Sequence, residues 1–171
     1  MIVTGKVVRV GDNIDTDLII PAKHLKYTDP SYLAEHVFEA MGEDFRKKLK
    51  GAVIVAGRAF GIGSSREQAA IALKAAGVVA VLAESFSRIF YRNAINNGLP
   101  VLECDPRTLS LLQEGNEVSI DIEKGIASSA EIVVMCKPIR GLVLDILRKG
   151  GLISYLKELS TEEENARSCL A

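Results

Sequence analysis

Apolar and polar positions along the chain fall into two regimes. "IVTGKVVRVG" at 2–11 partly alternates and predicts a half-buried β-strand. "GAVIVAG", "VVAVLAES" and "LPVLEC" are short, almost wholly apolar runs, the pattern of strands buried on both faces. Between them, "SSREQAAIALKAAG" and "FSRIFYRNAINNG" carry apolar residues at helical spacing, with Gly77 and Asn97-Gly98 as stops. Strand, helix, strand, helix, strand predicts parallel β–α–β units with right-handed crossovers.

The flanks read differently. "DNIDTDLIIP" is a turn and an apolar triplet closed by Pro21, and "PAKHLKYTDP" is a polar loop. Ser31 is the expected cap of one helix over "SYLAEHVFEAMGEDFRKKLK", interrupted at Gly42. "NEVSIDIEKGIASSAEIVVMCK" predicts a hairpin about Lys124-Gly125, with strands near 117–122 and 129–136. "RGLVLDILRKGGLISYLKEL" is helical and split at Gly150-Gly151. No repeat or linker divides the chain, so one α/β domain over 1–158 with a polar, frayed tail at 159–171 is expected.

Composition narrows the class. The 171 residues carry 21 basic and 22 acidic side chains, so no basic excess points to nucleic acid or an anionic membrane surface. No apolar run approaches the roughly 20 residues that span a bilayer, and no signal peptide is read; a cytoplasmic protein is expected. Cys104, Cys136 and Cys169 are dispersed, which argues against a disulfide framework and against a CxxC metal site. Cys104 is read as a small buried hydrophobe. With only His24 and His36, no metal site is expected within this chain.

The stretch with chemistry is "AFGIGSSREQAA". Gly61 and Gly63 permit positive φ and close approach of a ligand. Ser64 and Ser65 are placed at the start of a helix, where free N–H groups favour an anion, and Arg66 in its first turn offers a planar fork for a carboxylate. A cation there opposes the helix dipole, so helix stability does not account for it. Glu67 is expected to reach back in a capping box or meet a nearby cation. The residues alone leave two readings: an oxyanion pocket, or a capped helix with a solvated arginine. The spacing is neither a Walker loop nor a nucleophile elbow.

"GRAFGIGSSREQAAIALKAAGVVAVLAESFSRIFYRNAINNGLPVLE", together with "VGDNIDTDLIIPAKHL", resembles the small-subunit family of 3-isopropylmalate dehydratases, in the aconitase superfamily; homoaconitase small subunits are closely similar. The likeness covers most of 1–158. It implies a three-layer β/β/α swivelling domain that covers an iron–sulfur cluster held by a separate large subunit. It implies a hydro-lyase acting on a small di- or tricarboxylate, active only with that partner. Ser64 matches the base, Ser65 an adjacent substrate-binding serine, Arg66 the arginine that holds a carboxylate, and Asp17 a catalytic aspartate.

The resemblance also makes the loop Lys23 to Asp29, including His24, Leu25, Lys26, Tyr27 and Thr28, the part that selects the substrate. Lys26 departs from both family patterns, an apolar residue for an isopropyl group and an arginine for homoaconitate. His24 is read as a surface or packing residue. The leading expectation is interconversion of 2- and 3-isopropylmalate in leucine biosynthesis. Homoaconitate hydratase and a dimethylmalate-type dehydratase are alternatives, as is a stand-alone anion-binding module. On the second helix, Phe86, Phe90 and Tyr91 are expected in the core, and Arg88 and Arg92 in a structural role.

Overall fold

The structure, a computed structural model, describes residues 1–168, with side chains described through Thr161. One seven-stranded mixed sheet runs β4-β3-β2-β1-β5-β6-β7. Its parallel half is β4 (Val101–Glu103), β3 (Ala80–Ala83), β2 (Ala52–Ala56) and β1 (Ile2–Arg9). The antiparallel half adds β5 (Glu117–Asp121), β6 (Ile126–Ser129) and β7 (Ile132–Met135). As their unbroken apolar runs require, β2 and β3 are buried along their whole length.

The sheet curls until its edges touch. Asp105 N–H donates to Met135 O at 2.8 Å, and Lys137 N–H to Glu103 O at 2.7 Å. Between these bonds Cys104 and Cys136 form a disulfide, which corrects the expectation of unpaired cysteines. The two are 32 residues apart in sequence, and only the closure of β4 on β7 makes them neighbours.

Helices α1 (Thr16–Ile19), α2 (Pro30–His36), α3 (Glu43–Lys48), α4 (Glu67–Ala75), α5 (Arg88–Asn96), α6 (Pro106–Leu109), α7 (Leu142–Arg148) and α8 (Leu152–Ser168) complete the fold. Ala69, Ala70, Ala72 and Leu73 of α4 are buried, and this small-residue face lets α4 pack closely against α2 and α5. No helix among the described residues is long and apolar enough to cross a membrane.

Several boundaries differ from the sequence reading. The segment after Asp15 is a short helix rather than a bare apolar triplet, because the Asp15 carboxylate caps Asp17 N–H at 2.7 Å. Asp29, not Ser31, caps α2: its carboxylate accepts from Tyr32 N–H at 3.1 Å, and Pro30 takes the first helical position. The long helix breaks at Phe38, in left-handed conformation at φ 47°, well before Gly42. Val37 and Phe38 are both fully buried, and Phe38 N–H bonds Ile19 O at 2.8 Å, so tertiary burial overrides helical continuity. The stretch expected as one strand at 129–136 is split by a turn at Ala130, φ 49°. The residues read as a tail from 159 continue α8 to Ser168; the remainder of that tail, 169–171, lies outside the described residues.

Candidate active site

Because β1 and β2 are parallel neighbours, the loops leaving their C-terminal ends emerge side by side, where ligands of open α/β sheets bind. Backbone bonds zip the two loops together. Gly61 N–H donates to Ile14 O at 2.7 Å, and Thr16 N–H to Ile62 O at 2.8 Å. The buried Thr16 hydroxyl donates to Ser64 O at 2.9 Å. Both glycines are needed. Gly61 has φ 77°, and a Cβ there would sit 2.3 Å from Phe90 Cγ; Gly63 has φ 91°, and its Cβ would meet Asp15 Oδ2 at 2.5 Å.

Ser64 and Ser65 are exposed in the loop ahead of α4 rather than in its first turn. Arg66 is the N-cap, with φ −120° and ψ 103°, and α4 begins at Glu67. The positive end of this helix therefore points back at the serines. Outside the helix, the Arg66 side chain is free to turn toward α1, where it is 12% exposed. Its Nη1 donates to Asp17 Oδ1 and, at 3.2 Å, to Ile20 O. Its Nε is buried without any hydrogen-bond partner. The guanidinium, and after it the Ala22 N–H at 3.0 Å, hold the Asp17 carboxyl below its ordinary range. Glu67 forms no capping box; it accepts from Asn97 Nδ2 at 3.1 Å.

The loop 23–29 divides into a fixed part and an open part. His24 is 5% exposed. Its Nδ1 lies 2.9 Å from Tyr32 Oη and its Nε2 lies 2.9 Å from Glu39 Oε2, with Lys23 Nζ also 2.9 Å from that oxygen. The hydrogen bond from His24 and then that from Lys23 bring Glu39 down to about 2. Leu25 packs against the core, and its carbonyl accepts from Gln68 Nε2 of α4 at 3.2 Å. Lys26, Tyr27 and Thr28 are exposed, with Lys26 Nζ 5.0 Å from the Tyr27 ring centre. His24, read as a surface or packing residue, is packed against His36 and anchors the loop by its hydrogen bond to Glu39.

Three possible metal ligands, His24, His36 and Glu39, come together here. The two imidazoles stack at 4.0 Å with planes 13° apart, so their in-plane lone pairs run in parallel layers and do not meet at one ion. Glu39 is already held by Lys23 and His24. Among the described residues the cysteines offer no cluster site either: Cys104 and Cys136 hold each other, and Cys169 lies outside those residues. The donor set does not fit an iron–sulfur cluster.

Thr16 is the site residue that sequence reasoning passes over; its only signal is a hydroxyl between two aspartates. Ser87 is another, since its Oγ both caps α5 and donates to Gly61 O at 2.5 Å. Glu39 carried no signal, because its role depends on the chain reversing at Phe38.

Residues 11–107 match the aconitase C-terminal domain family. The 3-isopropylmalate dehydratase small subunit of Saccharolobus solfataricus is 57% identical over 166 residues, covering 96% of this chain and 100% of that protein. That of Metallosphaera sedula is 58% identical over 161 residues, covering 94% and 99%. The crystal structure of a 3-isopropylmalate dehydratase from Methanocaldococcus jannaschii superposes with a TM-score of 0.89 at 44% identity, over 97% of this chain and 99% of that one. Identity of this order over nearly the whole length, on the same fold, means that the chain belongs to the 3-isopropylmalate dehydratase small-subunit family.

Proposed function

We propose that this chain is the small subunit of a hydro-lyase that interconverts 2-isopropylmalate and 3-isopropylmalate, in leucine biosynthesis, by dehydration and rehydration. The large subunit holds the iron–sulfur cluster; this chain supplies the base and the carboxylate-binding side of the closed site.

In this reading Ser64 removes the proton beside a substrate carboxylate. A hydroxyl is a very poor base in water, so its alkoxide requires donors fixed in advance in a site closed to solvent. The N-terminus of α4 and the Arg66 guanidinium are such donors, and docking of the partner would exclude water from the now exposed serines. Arg66 binds the carboxylate with Ser65 beside it. Asp17 orients the guanidinium and is a candidate for proton transfer with a group of the partner.

The observation that carries the proposal is the state of Arg66. Its Nη1 is taken by Asp17 and Ile20, while its Nε is buried and unsatisfied. An unmet buried donor costs about 1–3 kcal/mol, and Nη2 also bonds no described residue, so the guanidinium has a donor left for a carboxylate.

The test is anaerobic reconstitution with the large subunit, followed by a substrate panel. Turnover of isopropylmalate that disappears in Ser64→Ala, with assembly unchanged, is expected. Near-normal turnover by that variant would remove Ser64 from the base role.

A second substrate rests on one observation: the exposed Lys26 ammonium pairs with no carboxylate among the described residues. If it reads a distal carboxylate, Lys26→Val will cut activity on homoaconitate about ten- to a hundred-fold more than on isopropylmalate. For isopropylmalate as the substrate, the ratio stays nearly constant. A long stem that withdraws its charge into water favours the isopropyl group.

A further inference from the structure

Away from the serine loop, a cleft of about 540 Å³ opens between α5, β4 and α7. It arises because β4 is an edge strand that meets β7 only at its C-terminal end, through Glu103, Cys104 and Asp105. Its floor is apolar: Ile95, Val101, Leu102 and Ile146 line it and are all buried. On one wall Lys137 pairs with Glu103, so these two charges cancel.

The opposite rim is different. Arg88 and Arg92 lie one turn apart on α5, so their side chains share a face. Neither has an ion-pair or hydrogen-bond partner among the described residues. Between them Tyr91 also lines the cleft, and its hydroxyl bonds no described residue. Burial, and then Glu103, keep this phenol above its ordinary range, so it remains a donor.

We propose that this cleft is a second binding site, distinct from the serine loop, for a small amphiphilic carboxylate: an anionic head on Arg88 and Arg92, and a short aliphatic body on the floor. The volume falls within the roughly 300–1,000 Å³ of small-molecule sites, which combine an apolar lining with a few converging polar groups. A protein interface would instead bury about 800 Å² of mostly flat surface per partner. Paired guanidinium groups select a planar carboxylate, and low-dielectric walls strengthen the attraction. A metal ion is disfavoured, because the one carboxylate in the lining is already taken by Lys137.

The site also has a route to the catalytic loop. Ser87, the cap of α5, donates to Gly61 O, and its N–H donates to Phe60 O at 3.0 Å. A ligand that steadies α5 therefore acts on the turn leading to Ser64.

The test uses the isotopically labelled full chain and 4-methylpentanoate as probe, read by backbone amide shifts. Saturable shifts are expected across 88–103 and 137–146. The neutral isostere 4-methylpentanol and the bare head acetate should each bind about ten-fold more weakly or worse. The exposed double substitution Arg88→Gln/Arg92→Gln should weaken the probe by about ten-fold or more while leaving the other amides in place. Shifts confined to 14–20 and 60–66 would mean that Arg66 takes the carboxylate, and would overturn the proposal. Equal binding of acid and alcohol would overturn it too, as would an unchanged double variant. So would a double variant that loses only its affinity for the large subunit, which would make the cleft a subunit contact.

Discussion

The hydroxyl of Thr16 donates to the carbonyl of Ser64 at 2.9 Å, across 48 residues of sequence. The same residue's N–H bonds Ile62 O, so one buried side chain and its backbone grip the loop on both sides of Gly63. Helix α1 thus brackets the candidate chemistry: Thr16 holds the serine, while Asp17 and Ile20 hold Arg66.

Thr16→Val keeps the shape and removes the donor. A neutral hydrogen bond of this kind contributes about 1 kcal/mol, so a small fall in stability is expected. In the reconstituted enzyme, with Ser64 as the proposed base, kcat should fall about ten-fold with KM little changed, since misplacement of a base costs turnover before binding. Thr16→Ser should restore it. A kcat equal to wild type in the valine variant would show that the loop holds Ser64 without this bond.

Arg66→Lys should act on binding. An ammonium lacks the planar fork that faces Asp17 and Ile20 O on one side and a substrate carboxylate on another, so KM should rise by about ten- to a hundred-fold. Steady-state kinetics over a range of isopropylmalate concentrations measure this. A KM within two- to three-fold of wild type would place the substrate carboxylate elsewhere.

Acid should loosen the loop at 23–29 late. Glu39 titrates at about 2 in the fold against an ordinary 4.5, because His24 and then Lys23 hydrogen-bond its charged form. A depressed carboxyl contributes stability that is complete above its unfolded value and is lost as pH falls through its folded value. The stability difference between wild type and Glu39→Gln should therefore shrink as pH falls from about 4.5 toward 2. Asp17, held low chiefly by Arg66, shifts stability in the same direction. Denaturant unfolding at a series of pH values checks both. A difference that grows on acidification would contradict the assignment.

The Cys104–Cys136 bond should stabilise the curled sheet. Chain-entropy arguments for a loop closed over 32 residues give about 3–4 kcal/mol. Reductant, or the double substitution to alanine, should lower the unfolding midpoint accordingly. Non-reducing mass analysis of the purified chain tests the bond directly: two free thiols at these positions would remove the prediction.

The sequence alone determined the elements whose formation is local. The apolar runs at 52–56 and 80–83 read as buried strands and are, and Gly77 and Gly98 stop their helices where the pattern says. The motif around Ser64 was legible because its glycines, hydroxyls and guanidinium are contiguous. What the chain could not show by itself was anything joined across distance. Arg66 reads as a first-turn residue until Asp17 and Ile20 draw its side chain away from the helix. The helix over 31–50 reads as interrupted at Gly42, but the burial of Val37 and Phe38 breaks it earlier. The two cysteines read as unpaired until the curled sheet brings its edges together. Periodicity records which face of a segment avoids water. It carries no record of which other segment supplies the covering surface, and that choice is made by the packing of the whole chain.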